Sequence, residues 1–255
     1  MAVDEAILEA VVQGISLPTL RLYEWHPPCL SIGYAQNSDE VDLDQLSSRG
    51  WLLVRRPTGG RAILHTDELT YSVIGPESDP RLSGTVLECY RKLAEALVHA
   101  LKLLNIHAEI QETPSKQANP SQNNPICFEV PSNYEITTSN KKLLGSAQAR
   151  KKGGVLQHGS LPLHGDLSRI TQVLKYPDEE SRALAAKRLL ERATTVEGIL
   201  GYRISFEVAA QAFLNAFSQV LKIDFTFSEL STLEQDRAEQ LMQEKYNHPS
   251  WNFRI

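Results

Sequence analysis

The amino-acid sequence predicts an α/β (α+β) fold in which mixed, largely antiparallel sheets are flanked by helices. Short apolar segments bounded by Pro and Gly fill residues 20–74 and 127–163, a pattern typical of strands joined by tight turns. Between and after them, apolar residues recur with a 3.6-residue period, which is typical of amphipathic helices. No linker long enough to separate two domains is present, so we expect one catalytic domain over residues 1–255.

The first half of the sequence contains a predicted helix, a series of strands and a second helix. Apolar residues recur at helical spacing through residues 2–12, and Gly14 ends this helix. The strands that follow are predicted at residues 20–25, 29–33, 51–55, 61–64 and 69–74. A long apolar period from Val86 to Leu104 then predicts a second helix, which contains Cys89.

The second half begins with a polar segment and ends in helices. Residues 111–125 are polar, contain Pro and lack an apolar period, so we expect a mobile loop there. Three further strands are predicted at residues 134–138, 142–150 and 155–163. The turns between them are predicted at Ser139-Asn140 and Gly153-Gly154. Beyond residue 166 the pattern is mainly helical, with Ser205 as an N-cap and Ser231 with Glu234 as a capping box.

Composition and charge narrow the class of protein. The chain has 255 residues, of which 42% are apolar, and its net charge of −5 argues against a nucleic-acid-binding surface. Asp4 and Glu5 stand where an export signal needs basic residues, and no apolar run approaches the roughly 18 residues that span a bilayer. We therefore expect a cytoplasmic protein that contacts neither membrane nor nucleic acid.

Cysteine usage points to one candidate nucleophile. Cys29, Cys89 and Cys127 include no Cys-x-x-Cys pair, and with seven scattered histidines the sequence predicts no metal site. Cys29 and Cys89 lie in predicted apolar elements, whereas Cys127 lies at the exit of the polar loop. A thiol with an ordinary pKa of about 8.5 is only slightly ionised at neutral pH, so catalysis needs a nearby cation or hydrogen-bond donor. An inert thiol remains the alternative.

The segment RRPTGGRAILH, residues 55–65, is the second candidate. Gly59 and Gly60 follow a predicted strand and would let the backbone pass close to a ligand, while Arg56 and Arg61 could bind a carboxylate, a phosphate or a carbonyl oxygen. A plain hairpin turn explains the two glycines equally well.

The third candidate is KKLLGSAQARKKGGVLQHGSLPL, residues 141–163. Lys142 enters a strand, Gly145 and Ser146 offer backbone amides, and Gln148 and His158 add hydrogen-bonding groups. A buried ammonium can polarise a thioester carbonyl or orient an acyl adenylate, and neighbouring amides can complete an oxyanion site. The alternative is an exposed hairpin lysine and a hydrogen-bonded core histidine.

Together these segments resemble the lipoate-protein ligase and octanoyltransferase superfamily, specifically its cysteine-type octanoyltransferase branch. The resemblance covers nearly the whole chain, from MAVDEAIL through RRPTGGRAILHTDELTYSV, CFEVPSNYEI and the lysine-centred segment to EKYNHPSWNFRI. Cys127 before a Phe-x-x-Pro-Ser run selects the acyltransferase branch over the ligases. The resemblance implies a catalytic fold like that of class II aminoacyl-tRNA synthetases and biotin-lipoate ligases.

The resemblance also implies a reaction and its residues. Cys127 would carry an octanoyl thioester taken from acyl carrier protein, and a lysine of a lipoyl-domain protein, such as glycine cleavage H protein, would then attack it. Lys142 would contact the acyl carbonyl. The residues implied to line the acyl tunnel are Arg56, Gly59, Gly60, His65, Gly145, Ser146, Gln148 and His158. Because the thioester is already activated, no cofactor is expected.

Three alternatives remain from the sequence. A lipoate-protein ligase would use ATP and Mg in the same pocket and leave Cys127 idle, and chain length argues against it. A lipoyl-domain amidotransferase would also use the cysteine but would take octanoyl from another lipoyl protein. A binding module without catalysis would lack Cys127 or Lys142. A biotin ligase is set aside, because RRPTGGR differs from its Gly-Arg-Gly-Arg-x-Gly run.

Two expectations concern surfaces. The family carries a strand before the first helix, and this sequence starts at that helix, so we expect an exposed sheet edge and a monomer or weak dimer. Residues 150–152, or Arg188 with Arg192, form basic patches on which an acidic lipoyl domain could dock, although most such patches are only solvated surface.

Overall fold

The computed structural model describes residues 1–112, 125–129 and 134–255. Nine strands are present in these ranges: β1 (Thr19–Tyr23), β2 (Cys29–Ile32), β3 (Leu52–Arg55), β4 (Ile63–His65), β5 (Glu68–Pro76), β6 (Glu109–Glu112), β7 (Tyr134–Thr138), β8 (Lys141–Lys151) and β9 (Gly154–Pro162). The α-helices in the same ranges are α1 (Ala2–Val12), α2 (Leu43–Ser48), α3 (Val86–Leu103), α4 (Glu179–Arg192), α5 (Val196–Leu200), α6 (Phe206–Leu221), α7 (Thr232–Leu241) and α8 (Pro249–Asn252).

The strands form two sheets. The larger has the order β1-β5-β9-β8-β7-β6, and all of its neighbouring strands are antiparallel. The smaller has the order β3-β2-β4, in which β2 is parallel to β3 and antiparallel to β4. This architecture is the predicted combination of mixed, largely antiparallel sheets flanked by helices.

Alternation along β5 assigns the two faces of the large sheet. Leu69 and Tyr71 belong to the main core with α3 and α6, whereas Ser72 and Ile74 face α1 on the other side. Helix α3 begins with a capping box between Thr85 and Glu88 and buries its apolar stripe in the main core. A separate core joins the small sheet to α4 and to the 3-10 helix Leu167–Val173.

Two predicted segments need correction. The predicted mobile loop at residues 111–125 is wrong at its start, because Gln111 and Glu112 belong to β6 and pair with β7. β6 is an edge strand in which Glu109 and Gln111 are exposed, while Ile110, on the opposite face, packs on the main core. Residues 113–124 of that loop lie outside the described residues. The second predicted turn is formed by residues 152 and 153, one residue earlier than expected.

The remaining element predictions are confirmed. Ser205 caps α6, and Ser231 with Glu234 forms the capping box of α7. The turn at Ser139 and Asn140 has positive φ angles at both residues, as a two-residue hairpin turn requires. Within the described ranges, no helix combines the length and the apolarity that crossing a bilayer requires.

Candidate active site

A cavity of about 310 Å³ opens between the two sheets, beside the first turn of α3. β2 and β4 line it on one side, β5, β8 and β9 on the other, and Val86, Leu87 and Tyr90 stand at the α3 side. Every site residue predicted from the sequence lines this cavity, namely Arg56, Gly59, Gly60, His65, Cys127, Lys142, Gly145, Ser146, Gln148 and His158. The fold therefore brings the three candidate segments together.

Cys127 begins a short 3-10 helix, Cys127–Glu129, that is fastened to the small sheet. Its backbone N–H donates to the carbonyl of Ala62 at 3.0 Å, and Ala62 N–H donates to the carbonyl of Pro125 at 2.9 Å. Ile126 and Phe128 on either side are buried in the small-sheet core. Because its neighbours anchor the backbone, the half-buried Cys127 thiol is held at the cavity wall.

Lys142 reaches the same wall from β8. Its side chain is only 4% exposed, and its Nζ donates to Glu135 Oε1 at 2.8 Å and to the Cys127 carbonyl oxygen at 3.1 Å. The ammonium also lies 5.4 Å from the centre of the Phe128 ring, within range of a cation–π contact. The predicted cation is therefore buried, paired and next to Cys127, the candidate nucleophile.

A β-bulge directs Lys142 into the site. Thr137 pairs with Lys142 but Ile136 pairs with Leu144, so Leu143 is an extra residue on β8. In a regular strand, Lys142 and Gly145 would point to opposite faces, since their positions differ by three. With the bulge they share a face, and a Cβ on Gly145 would lie 3.4 Å from Lys142 Cε. Gly145 thus lies directly beside the lysine stem.

Arg56 organises the loop between β3 and β4, residues 56–62, which faces Cys127. The guanidinium is buried and donates to the carbonyls of Gly59 and Arg61 and to the carbonyl and hydroxyl oxygens of Ser31, at 2.7 to 3.2 Å. Burial lowers the pKa of Arg56, whereas the charges of Cys127 and Tyr90 act in the opposite sense. All three guanidinium nitrogens already donate to protein oxygens, so its contribution to the site is to shape the loop and to supply positive charge.

Gly33 and Gly60 make the loop possible. A Cβ on Gly33 would lie 1.8 Å from the carbonyl oxygen of Gly60, a distance that no side chain tolerates. Gly60 has a φ of +93°, and a Cβ there would lie 2.8 Å from Arg56 Nη2 and 4.0 Å from Cys127 Sγ. The loop therefore passes close to both the Arg56 guanidinium and the Cys127 thiol.

His65 lies in a buried hydrogen-bond chain at the cavity wall. Its Nε2 lies 2.8 Å from the Ser31 hydroxyl, which also accepts from Arg56. Its Nδ1 lies 2.5 Å from Glu68 Oε1. Glu68 also accepts from Thr70. The chain of contacts fixes the orientation of the imidazole ring.

His158 is buried on the same side of the large sheet as Asp4. Its Nε2 lies 2.7 Å from the Thr58 hydroxyl, and within the described residues its buried Nδ1 has no hydrogen-bond partner. Burial lowers the pKa of His158 to about 3, against the opposing charge of Asp4. The imidazole is therefore neutral at physiological pH.

Ser146 and Gln148 connect the cavity to the main core. The Ser146 hydroxyl lies 2.7 Å from that of Tyr71, and the Gln148 amide donates to Gln157 at 2.9 Å and to the Cys89 sulfur at 3.1 Å. Gly145 and Ser146 are ladder residues paired with β9, so the oxyanion role of their amides stays a prediction.

The proposed basic patches are partly used inside the fold. Arg150 donates to the carbonyls of Leu82 and Gly84 at the start of α3, and Lys151 pairs with Glu5 at 2.7 Å. Over the described parts of the chain, no three His, Cys, Asp or Glu side chains are placed to hold a metal ion.

Several site residues escaped the sequence analysis. Ser31, Glu68 and Tyr90 showed no signal beyond ordinary strand or helix patterns. Glu135 did carry one. A two-residue turn at residues 139 and 140 places Thr137 opposite Lys142, and Glu135 is then a diagonal neighbour on the same face.

Comparison with known proteins agrees with this geometry. The family model described as the lipoyl protein ligase A/B catalytic domain matches residues 1–218. The octanoyltransferase LipM of Carboxydothermus hydrogenoformans is 40% identical over 256 residues, which cover 100% of this chain and 94% of that relative. The octanoyltransferase LipM of Kyrpidia tusciae is 43% identical over 259 residues, with 100% and 93% covered.

Solved structures give the same assignment. A bi-partite lipoate protein ligase from Thermoplasma acidophilum superposes with a TM-score of 0.80 at 30% identity, over 99% of this chain and 89% of that one. A lipoate-protein ligase A bound with ATP gives a TM-score of 0.79 at 31% identity, over 99% and 92%. The resemblance and the fold class inferred from sequence are confirmed, and the chain belongs to the lipoyl protein ligase A/B catalytic domain family.

Proposed function

We propose that this chain moves octanoyl from acyl carrier protein to a lysine of a lipoyl domain, such as that of glycine cleavage H protein, through a thioester on Cys127. Octanoyl transfer is the activity of its full-length relatives. The donor, the acceptor and the residue roles are the proposed part. The observation that carries them is that Lys142 Nζ lies 3.1 Å from the Cys127 carbonyl oxygen at the wall of one cavity.

In the first half-reaction, the Cys127 thiolate attacks the carbonyl carbon of the octanoyl thioester. A new carbon–sulfur bond forms, and the bond to the carrier's pantetheine sulfur then breaks, so that the departing sulfur takes up a proton. The Lys142 ammonium has three N–H groups, two of which donate hydrogen bonds to Glu135 and to the Cys127 carbonyl oxygen. Among the described residues the third has no acceptor, and in the proposed reaction it stabilises the oxyanion.

In the second half-reaction, the ε-amine of the acceptor lysine attacks the acyl-Cys127 thioester. The new carbon–nitrogen bond makes an amide, the nitrogen loses a proton, and the Cys127 sulfur leaves as a thiolate that can take that proton up. Because thioester cleavage drives amide formation, the proposed reaction needs neither ATP nor a metal. Cys127 is regenerated for the next cycle.

The test is intact-protein mass spectrometry after mixing the chain with octanoyl-carrier protein and no ATP. We expect the mass to rise by one octanoyl group in the wild type and in Cys29→Ala, but not in Cys127→Ala. Adding unmodified H protein should then discharge the adduct onto that protein. If no adduct forms and transfer instead needs free octanoate with ATP, the chain is a ligase and the proposal is wrong.

The donor is tested in the same experiment. Octanoyl-H protein replaces the octanoyl-carrier protein, and the rate of Cys127 acylation is compared at equal concentrations. Faster acylation from the carrier protein supports the proposed donor. Faster acylation from octanoyl-H protein would identify a lipoyl-domain amidotransferase that uses the same thioester.

A further inference from the structure

We propose that Glu135 is a positioning residue for octanoyl transfer, which holds the Lys142 ammonium at the point where the thioester carbonyl must bind. This inference rests on the proposed role of Lys142 and assigns the residue through which that role is maintained. It comes from one ion pair, one β-bulge and one main-chain anchor, which together constrain a long and flexible side chain.

The ion pair meets a physical need. A lysine has four rotatable side-chain bonds, and its ammonium is strongly hydrated, so burial without a counter-ion is unfavourable. Lys142 is nevertheless 4% exposed, and Glu135 is 11% exposed. In the part of the chain that the structure describes, Glu135 is the one carboxylate that lies within 4.0 Å of Lys142 Nζ. The pair therefore keeps a charged group inside the cavity wall.

The backbone fixes both ends of this pair. The two-residue turn pairs Lys142 with Thr137, which shares a face of β7 with Glu135, and the bulge at Leu143 then brings Gly145 of β8 to that same face. On its other side, the Lys142 carbonyl accepts from the N–H of Thr194 at 3.1 Å, just after α4. The backbone of Lys142 is thus held by β7 on one side and by Thr194 on the other. Only the side-chain torsions of Lys142 remain to be fixed.

Glu135 fixes those torsions in a specific direction. Its Oε1 accepts one hydrogen bond from the ammonium at 2.8 Å, and the Cys127 carbonyl oxygen accepts another at 3.1 Å. Two acceptors in known places determine where the third N–H points. A neutral side chain at position 135 would leave the ammonium with weaker restraint and without charge compensation. We therefore expect loss of Glu135 to lower the rate of the chemical step more than the affinity for donor.

The experiment measures single-turnover octanoylation of Cys127 by intact mass in Glu135→Gln, with octanoyl-carrier protein as donor. Glu135→Gln keeps the shape of the side chain and removes its charge. The matched control is Glu109→Gln, which makes the same charge change at an exposed position on the adjacent strand β6. We expect an acylation rate about 100-fold lower in Glu135→Gln, a donor KM unchanged within twofold, and wild-type behaviour in Glu109→Gln.

A double-mutant cycle distinguishes positioning from a general structural effect. If Glu135 acts through Lys142, adding Glu135→Gln to Lys142→Met should lower the rate no further, because the group being positioned is already gone. An equal fold-loss in both backgrounds would overturn the inference, as would a wild-type rate in Glu135→Gln. A loss expressed in KM alone would also overturn it.

Two further results keep the outcomes separate. If Glu135→Gln does not fold, Glu135→Asp is measured instead. It keeps the negative charge but shortens the side chain by one methylene, so we expect acylation to be about tenfold slower than in the wild type. A wild-type rate in that variant would overturn the inference. If Lys142→Met itself acylates at the wild-type rate, the proposed role of Lys142 is wrong and the inference is wrong with it. If only Lys142→Met is slow, the proposed function stands and the inference alone is wrong.

Discussion

The Lys142 ammonium donates a hydrogen bond to the main-chain carbonyl of Cys127, at 3.1 Å. The contact joins β8 of the large sheet to the 3-10 helix Cys127–Glu129, which carries the candidate nucleophile and is preceded by a bridge between Ile126 and Ala62. Because the lysine binds the backbone and not the thiol, the sulfur remains available for attack. The arrangement also sets the distance between the nucleophile and the group that would stabilise the oxyanion.

The first prediction concerns that lysine. Lys142→Met should lower the rate of Cys127 octanoylation by about 10²- to 10³-fold, the size expected when one preorganised donor is lost. The control is Lys141→Met, because the neighbouring ammonium donates to the carbonyl of Leu190, away from Cys127. Rapid-quench intact mass spectrometry measures both rates. Equal losses in the two variants would show that the effect is one of charge or folding.

The second prediction concerns the loop that faces Cys127. Gly33→Ala should destabilise the protein by about 2 to 4 kcal/mol and slow acylation, because the new Cβ would meet the Gly60 carbonyl oxygen at 1.8 Å. Gly59→Ala, whose new Cβ would meet no atom of the described residues within 4 Å, should stay close to the wild type in stability. Urea unfolding and single-turnover acylation test the pair. Comparable stability in the two variants would contradict the steric argument.

The third prediction concerns acid stability through Glu5. Burial by itself would raise the pKa of this carboxyl, but hydrogen bonds from Lys151, Lys245 and Tyr246 lower it to about 2. A lowered pKa means that, as the pH falls, the folded state binds the proton at a lower pH than the unfolded chain does. The stabilisation is complete above about pH 4.5 and is lost as the pH falls towards 2.

The measurement is urea unfolding from pH 2 to pH 7. We expect Glu5→Gln to lose about 2 to 3 kcal/mol at pH 7 and to lose less stability than the wild type below pH 4.5. Glu95→Gln, on the exposed side of α3, is the control and should follow the wild type. Parallel pH curves for Glu5→Gln and the wild type would refute the linkage.

The sequence was informative where a pattern is local. Strand and helix spacing, the caps at Ser205 and Ser231, and the turn at residues 139 and 140 depend on neighbours in the chain, and the structure agrees with them. The candidate site residues also converge on one cavity. Their roles, including those of Cys127 and Lys142, remain predictions.

The sequence was uninformative where the determinant is tertiary. The bulge at Leu143 has no residue signature, yet it decides which face Lys142 occupies. In the sequence, Asp4 and Glu5 argued only against an export signal, but both are buried against partners from distant segments. Arg55 is likewise fully buried, because it donates to carbonyls of Trp251 and Asn252 near the C-terminus. Such contacts join residues too far apart for spacing to indicate.

The last prediction concerns His158, whose pKa burial lowers from 6.5 to about 3. The unfolded chain binds a proton at this histidine below about pH 6.5, whereas the folded state does not until about pH 3. Stability should therefore be independent of this group above pH 6.5 and fall as the pH drops from 6.5 towards 3, by at most about 1.4 kcal/mol per pH unit. This window begins about two units above that of Glu5, so the two effects can be measured separately.

Urea unfolding between pH 4.5 and pH 7 isolates the His158 effect. His158→Gln should remove a large part of the wild-type slope in that range, and His99→Gln, which changes an imidazole bonded to Gln219 at the surface, should leave it unchanged. An unaltered slope in His158→Gln would mean that the folded state accepts the proton as readily as the unfolded chain, and would contradict the lowered pKa. Because His158 lines the cavity that would hold the octanoyl chain, a neutral imidazole there is what an apolar substrate requires.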